Sequence, residues 1–443
     1  MLTEVKLVVV VGVIKIQKRM KGYCIIIFTV FFTSMSYAQD EDRDYKKRVL
    51  ESTEVDMLFS YYKQTGEHAA VTGGEGTEEL TDLTPTIVVS VPLNDDDVIT
   101  VDAGISAYTS ASSSNINPFD TQNPSIWTES TGASSSDILT HFNMSYSHSS
   151  DSRNSIWSAN LNVSTEYDYF SISFGGGYTH LFNEKNTEVN VKAQVFLDTW
   201  NPQYPIELRS GFNYDFIEGD GTYNPTFSEF DNLGRNSYSL SFNFSQILSQ
   251  KLQGSIFFDL ILQNGLLSTP HQRVYFSDVN DFSVNGFQLA DNVEQLPESR
   301  FKIPIGARLN YYLNDLFTLR TYYRYYLDDW GINSHTLNVE LPIKINDKFT
   351  VYPIYRFYNQ TAADYFAPKE RHLSTEEFYT SDYDLSDFTS NQFGIGINYR
   401  DIFTKARIWK FGLKTIDVRI NKYRRSDGLD AFIVGFGIKF VGN

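Results

Sequence analysis

Residues 299–360 obey one period-two rule through four consecutive stretches, and that rule limits what the chain can fold into. In the first stretch Phe301, Ile303, Ile305, Ala307, Leu309, Tyr311 and Leu313 alternate with Arg300, Lys302, Pro304, Gly306, Arg308 and Asn310. The second sets Phe317, Leu319, Tyr323, Tyr325 and Leu327 against Arg320, Tyr322, Arg324, Tyr326 and Asp328. The third sets Leu337, Val339, Leu341, Ile343 and Ile345 against Thr336, Asn338, Glu340 and Lys344, and the fourth sets Phe349, Val351, Tyr355 and Phe357 against Thr350, Tyr352, Arg356 and Tyr358. Side chains alternate faces along a strand, so four antiparallel strands share one apolar and one polar face. Strands in soluble sandwiches run about five or six residues. These are about twice as long, which fits the roughly 9–11 residues of a tilted membrane-spanning strand, apolar outside, polar inside, aromatic at both interfaces.

The N-terminus points to export. Lys15, Lys18, Arg19 and Lys21 precede the apolar run CIIIFTVFF at 24–32, and Ser36-Tyr37-Ala38 forms an A-x-A-like cleavage site. Residues 1–38 read as a secretory signal peptide for Sec export, with 1–19 an upstream start before Met20 or a long n-region. The run is too short for a spanning helix. Cys24, the only cysteine, lies inside it, so the chain from Gln39 onward has no thiol for disulfides, haem attachment or zinc-thiolate sites. No cysteine stands at the cleavage point to carry a lipoprotein anchor.

Without 1–38 the chain holds 32 basic and 53 acidic residues, a net charge of −21. Such a surface repels nucleic acid and suits loops that face lipopolysaccharide through cations. No helix-length apolar run follows residue 38, which excludes a helical membrane bundle. No linker or change of period divides the rest, so residues 39–52 read as a periplasmic lead-in and 53–443 as one barrel.

Further alternating stretches lie at 55–63, 84–93, 98–108, 138–148, 155–165, 169–180, 188–198, 238–247, 252–263, 393–399, 408–422 and 432–440. With the central four they make sixteen. The glycine triplet 175–177 reads as a close backbone approach rather than a phosphate cradle, because no helix start follows it. Residues 200–235 alternate weakly over 206–216. Counting them as a strand would break the alternation of short turns and long loops, so they read as one outer loop with its own hairpin. Other long loops lie at 110–136, 265–298 and 361–388, and a slip in apolar phase between Leu413 and Ile416 predicts a β-bulge. The expected fold is all-β: an antiparallel up-and-down transmembrane barrel of about sixteen strands, with long extracellular loops and short periplasmic turns. Its near-terminal Phe440 suits the barrel-assembly machinery.

The strings STPHQRVYF, SRFKIPIGARLNYY, TYYRYYLDDWGINSHTLNVELP, ADYFAP, FYTSDYDLSDF and KYRRSDGL together resemble an outer-membrane barrel family of Gram-negative bacteria catalogued as a domain of unknown function. The likeness runs from about Asp44 to the C-terminus. It implies a barrel fold and outer-membrane location and supplies no activity. It also implies an envelope redox setting, with a small lipoprotein or flavin-bearing partner.

Several clusters carry chemistry on paper. Asp328, Asp329 and His335 offer carboxylates and an imidazole for water activation at a rim, against the plainer reading of a tight hairpin with turn aspartates. His372, Ser374 and Glu376 have the residue types of a triad, although triads are assembled from distant positions. Asp382, Asp384 and Asp387 supply oxygen ligands for Ca²⁺, without the glycine of an EF-hand turn. No other cofactor is expected, and the chain leans away from being an enzyme. The inward row Arg300, Lys302, Arg308, Arg320, Arg324, Glu340, Lys344 and Arg356 is the richest feature. In an open lumen it makes an anion-favouring wall, and in a closed one a salt-bridged plug. The function expected is a channel or transport conduit, or a sheath for a lipoprotein. The alternatives are a rim hydrolase and an adhesive surface protein.

Overall fold

The computed structural model describes residues 48–109, 136–212 and 217–442. The expected signal peptide, most of the lead-in, most of the 110–136 loop and residues 213–216 lie outside the described residues.

Among the described residues sixteen long strands form one closed sheet. They are β1 Glu54–Thr65, β2 Leu80–Pro92, β3 Asp97–Thr109, β4 Ser136–Ser149, β5 Ser155–Thr165, β6 Tyr169–Phe182, β7 Thr187–Trp200 and β8 Gly234–Ser249. The chain continues with β9 Leu252–Gly265, β10 Ser299–Tyr312, β11 Thr318–Asp328, β12 Asn333–Glu340, β13 Phe349–Gln360, β14 Phe388–Arg400, β15 Phe411–Arg425 and β16 Asp430–Gly442. Each strand pairs antiparallel with its sequence neighbours, and β1 pairs with β16 from Glu54↔Val441 to Thr65↔Asp430, which closes the ring. The closing seam is clasped by ions. Lys439 Nζ lies 2.9 Å from Glu54 and 3.2 Å from Asp56, and Lys414 Nζ lies 2.8 Å from Glu54.

The alternation sets the two faces as expected. Phe301, Ile305, Leu309, Phe393, Ile395 and Ile397 remain exposed on the outside of the ring, where water would make such a band costly and hydrocarbon solvates it. β12 is the shortest strand. Pro342 lacks the N–H that would continue it, and pairing resumes at Ile343–Lys344. The β15–β16 register shifts between Leu413 and Thr415, at the expected bulge. At Gly175, inside β6, a Cβ would sit 2.5 Å from the Ala193 carbonyl oxygen, so this triplet position serves close strand contact.

All the long loops lie at one end of the ring, with the short turns 166–168, 329–332 and 426–429 between them, and the other end carries only short connections. β7 pairs directly with β8, so 201–233 is a loop, as expected. No internal hairpin forms among the described residues of this loop. Ile206–Leu208 is a single 3-10 turn, and Glu218–Gly219 pairs with Phe282–Val284 of the next loop instead. A weak period cannot reveal a partner that lies beyond two intervening strands.

The soluble-type core sits in these loops rather than in the barrel. Val274, Val284, Leu289, Ala290 and Val293 of the 266–298 loop are each at most 2% exposed. Ala290 and Val293 pack with Leu208, Phe227 and Phe230 of the preceding loop, Val284 and Leu289 with Ile206 and Tyr223 of that same loop, while Val274 and Phe276 meet Tyr379 of the 361–387 loop. Three loops thus form a folded cap with its own apolar interior.

Candidate functional site

The cap is fastened by one buried ion pair. Arg273 Nε donates to Glu207 Oε1 at 2.6 Å and Nη2 to Oε2 at 3.2 Å, with both side chains fully inaccessible. Arg273 Nη1 also donates to the Val71 carbonyl at 3.2 Å, so the 66–79 loop joins the cap, and its guanidinium stacks over Phe287. Bidentate geometry and a third acceptor satisfy most of the fork, which is what permits burial. Glu294 is the second fastening, accepting from Thr269 N–H and the Thr380 hydroxyl, each at 2.6 Å. Burial, reinforced by the nearby Asp382 charge, pushes its carboxyl up to about 8. His271 is driven the other way by burial and by Arg273, down to about 4, and is neutral.

Beneath the cap the lumen widens into a cavity of about 790 Å³. Its wall carries Tyr62, Tyr108, Arg324, Arg356, Tyr358 and Tyr423, and its roof His68, Glu78, His271, Gln272, Asp382 and Asp384. Three arginines meet this space, and they differ. Arg425 is committed: Nη2 donates to Asp427 at 2.5 Å and to the Tyr383 carbonyl at 2.8 Å, Nη1 reaches Asp384, and the guanidinium lies 3.9 Å over Phe388. Arg324 and Arg356 make no ion pair among the described residues, and Arg324 Nε is buried without an acceptor. Glu78 likewise has no side-chain partner, and burial raises its carboxyl to about 7 against the pull of Arg425.

The remaining members of the expected row divide by depth. Near the loop end, Arg300 Nε donates to Asp328 at 2.9 Å and stacks 4.3 Å over Trp330. Toward the turn end, Arg308 lies 5.4 Å over the Phe257 and Tyr322 rings, and Arg320, 55% exposed, stands 3.7 Å from Glu340. Lys344 sits at the turn end, half exposed and paired with Asp347 at 3.0 Å. Lys302, on β10, sits two residues beyond Arg300. Arg300, nearest the loops, is thus held tightly, while Arg320 and Lys344 toward the turns are about half exposed.

The rim constellation is not brought together. Asp328 has no exposed side-chain surface; it accepts from Tyr326 and from the N–H groups of Trp330 and Ile332, and so holds the turn. Asp329 accepts from Phe301 N–H. His335 stands on the opposite face, its Nδ1 2.8 Å from the Tyr323 hydroxyl. The parity of 328 and 335 on adjoining strands forces this separation. Nor do the triad residue types assemble: His372 contacts Glu376 at 2.7 Å, while the Ser374 hydroxyl donates to Asp278. The acidic trio does not converge on one point either. Asp382 accepts from Asp384 N–H and Gln272, Asp384 pairs with Arg425, Asp387 is exposed, and no group of three metal-type ligands occurs among the described residues.

Sequence reading missed Glu78, Glu207, Arg273 and Glu294. It also missed the luminal network in which Tyr352 donates to Asp417, itself bonded to Asn398 and Arg419. Of these, Tyr352 carried a signal in the parity of β13, and Asp417 and Arg419 in the parity of β15 past its bulge.

An apolar outer band, a polar lumen and complete ring closure define a transmembrane β-barrel of the outer-membrane type. The chain belongs to the family described as "Protein of unknown function (DUF3570)", whose profile matches residues 33–430. No curated protein matches it in sequence. Among solved structures it is similar to a "Bacterial polysaccharide outer membrane secretin" at 10% identity, covering 89% of this chain and 100% of that one, TM-score 0.44. It is also similar to the "CymD monoaromatic hydrocarbon channel", at 7% identity over 89% of each chain, TM-score 0.36. A third is OpdK of Pseudomonas aeruginosa, solved with vanillate, at 7% identity over 88% of this chain and 99% of that one, TM-score 0.37. These are likenesses of barrel to barrel.

Proposed function

We propose that the protein is a conduit of the Gram-negative outer membrane for small solutes, favouring anions and gated by the loop cap. The observation that carries this is the pair Arg324 and Arg356, left without counter-charges on the wall of a solvent-sized chamber. A structural plug would pair such charges, because an unpartnered guanidinium at reduced dielectric is costly. A passage gains from them, since a fixed cation lowers the barrier for an anion without trapping it. The long loops face lipopolysaccharide, and the turns face the periplasm.

The test is planar-bilayer recording on purified protein in a KCl gradient. The expected result is a reversal potential on the chloride side, shifted toward neutrality by Arg324→Gln with Arg356→Gln. Zero conductance overturns the conduit, and a potential indifferent to both substitutions overturns the assigned role of the arginines.

A further inference from the structure

Three ionisable groups line the chamber without a side-chain partner among the described residues, two guanidinium groups and one carboxyl. Arg324 and Arg356 stand on β11 and β13. Register places Thr336 across from Arg324 and Tyr358 across from Thr336, with Arg356 two residues further along β13. Strand spacing and rise put the two Cα atoms about 12 Å apart. Two extended arginine side chains can therefore converge on one anionic group. Glu78 belongs to the 66–79 loop on another side of the chamber.

The groups nearest Glu78 are spoken for. Arg425 is engaged by Asp384 and Asp427, His68 Nδ1 lies 3.0 Å from the Gly74 carbonyl, and the His68 ring stacks on Tyr383. A desolvated carboxyl without a partner invites a cation, just as Arg324 Nε invites an acceptor. Also lining the chamber, Gln272 Oε1 is buried with no donor. An amide N–H would satisfy it.

We propose that the chamber binds a short zwitterionic peptide, its carboxylate held by Arg324 and Arg356, its amino group at Glu78 and a backbone N–H on Gln272. This rests on reading the chamber as a solute compartment. A single amino acid has no amide N–H to offer Gln272 Oε1, whereas a peptide does. An extended tripeptide spans about 10 Å and suits a cavity in the small-ligand size range.

The test is calorimetric titration of the detergent-purified barrel with Ala-Ala-Ala, its N-acetylated form and its C-terminal amide. The free peptide should bind at least tenfold more tightly than either blocked form. Glu78→Gln should erase the preference for a free amino end while keeping that for a free carboxylate, and Arg356→Gln should do the reverse. Heat-modifiable electrophoretic mobility checks that each variant is folded. Equal binding of blocked and free peptides, or no binding by a protein that conducts anions, overturns the peptide site and leaves the conduit. Peptide binding in a protein that passes no current upholds the site and overturns the conduit.

Discussion

Arg273→Met should open the cap without unfolding the barrel. The substitution keeps the bulk of the side chain but removes two bonds to Glu207, one to the Val71 carbonyl and the stack on Phe287. Glu207 is then a carboxylate with no exposed surface and no counter-charge. Removing one partner of a buried pair costs about 3–5 kcal/mol, whereas replacing both by apolar groups is near neutral. At about 4 kcal/mol the closed cap loses roughly a thousandfold of its advantage over open forms. The barrel is held by sixteen ladders that this pair does not touch. Limited chymotrypsin digestion of the folded, heat-modifiable band should therefore cut Arg273→Met within 201–233 and 266–298 at least a hundredfold faster than wild type. Single-channel conductance should rise. Adding Glu207→Leu should restore most of the protection. The reasoning is refuted if Arg273→Met digests at the wild-type rate, or if the double variant is worse than the single one.

Other outcomes can be checked alongside. Glu294 titrates near 8 in the folded cap against an ordinary 4.5, so its contribution is complete below about 4.5 and is lost as pH rises through 8. Loop proteolysis should accelerate between pH 5 and 9 in wild type, and Glu294→Gln should flatten that dependence. Ile305→Arg, at mid-strand on the outer face, should cost about 2–4 kcal/mol in urea titrations of refolding into vesicles, and Asn310→Arg at an inward position of the same strand should cost under 1. His335→Ala should leave conductance and ion preference unchanged, since its side chain lies outside the lumen with Tyr323. Asp328→Ala should expose the 329–332 turn to proteolysis, because four groups lose their acceptor.

The barrel was legible because period two is a local signal repeated in every strand, and the bulge at Leu413–Thr415 was legible as a break in that signal. The same parity already separates Asp328 from His335, two residues that closeness along the chain tends to join. The cap was not legible. Val284 meets Leu289 within its own loop, but Val274 and Arg273 find Tyr379 and Glu207 across loops separated by barrel strands. Nothing in a patternless segment announces such contacts. Of the inward row, the sequence exposes which side chains point into the lumen. Which of them remain unpaired depends on neighbours such as Asp328 and Glu340, and that requires the register.

The ionic clasp between the first and last strands has a bearing on assembly. Sliding the seam by one residue would carry Lys439 into hydrocarbon and turn Phe440 toward water, while stranding Glu54 and Asp56. A ring shut in the wrong phase thus lies higher in free energy than the clasped one, so the charges at the seam select the register in which the barrel closes.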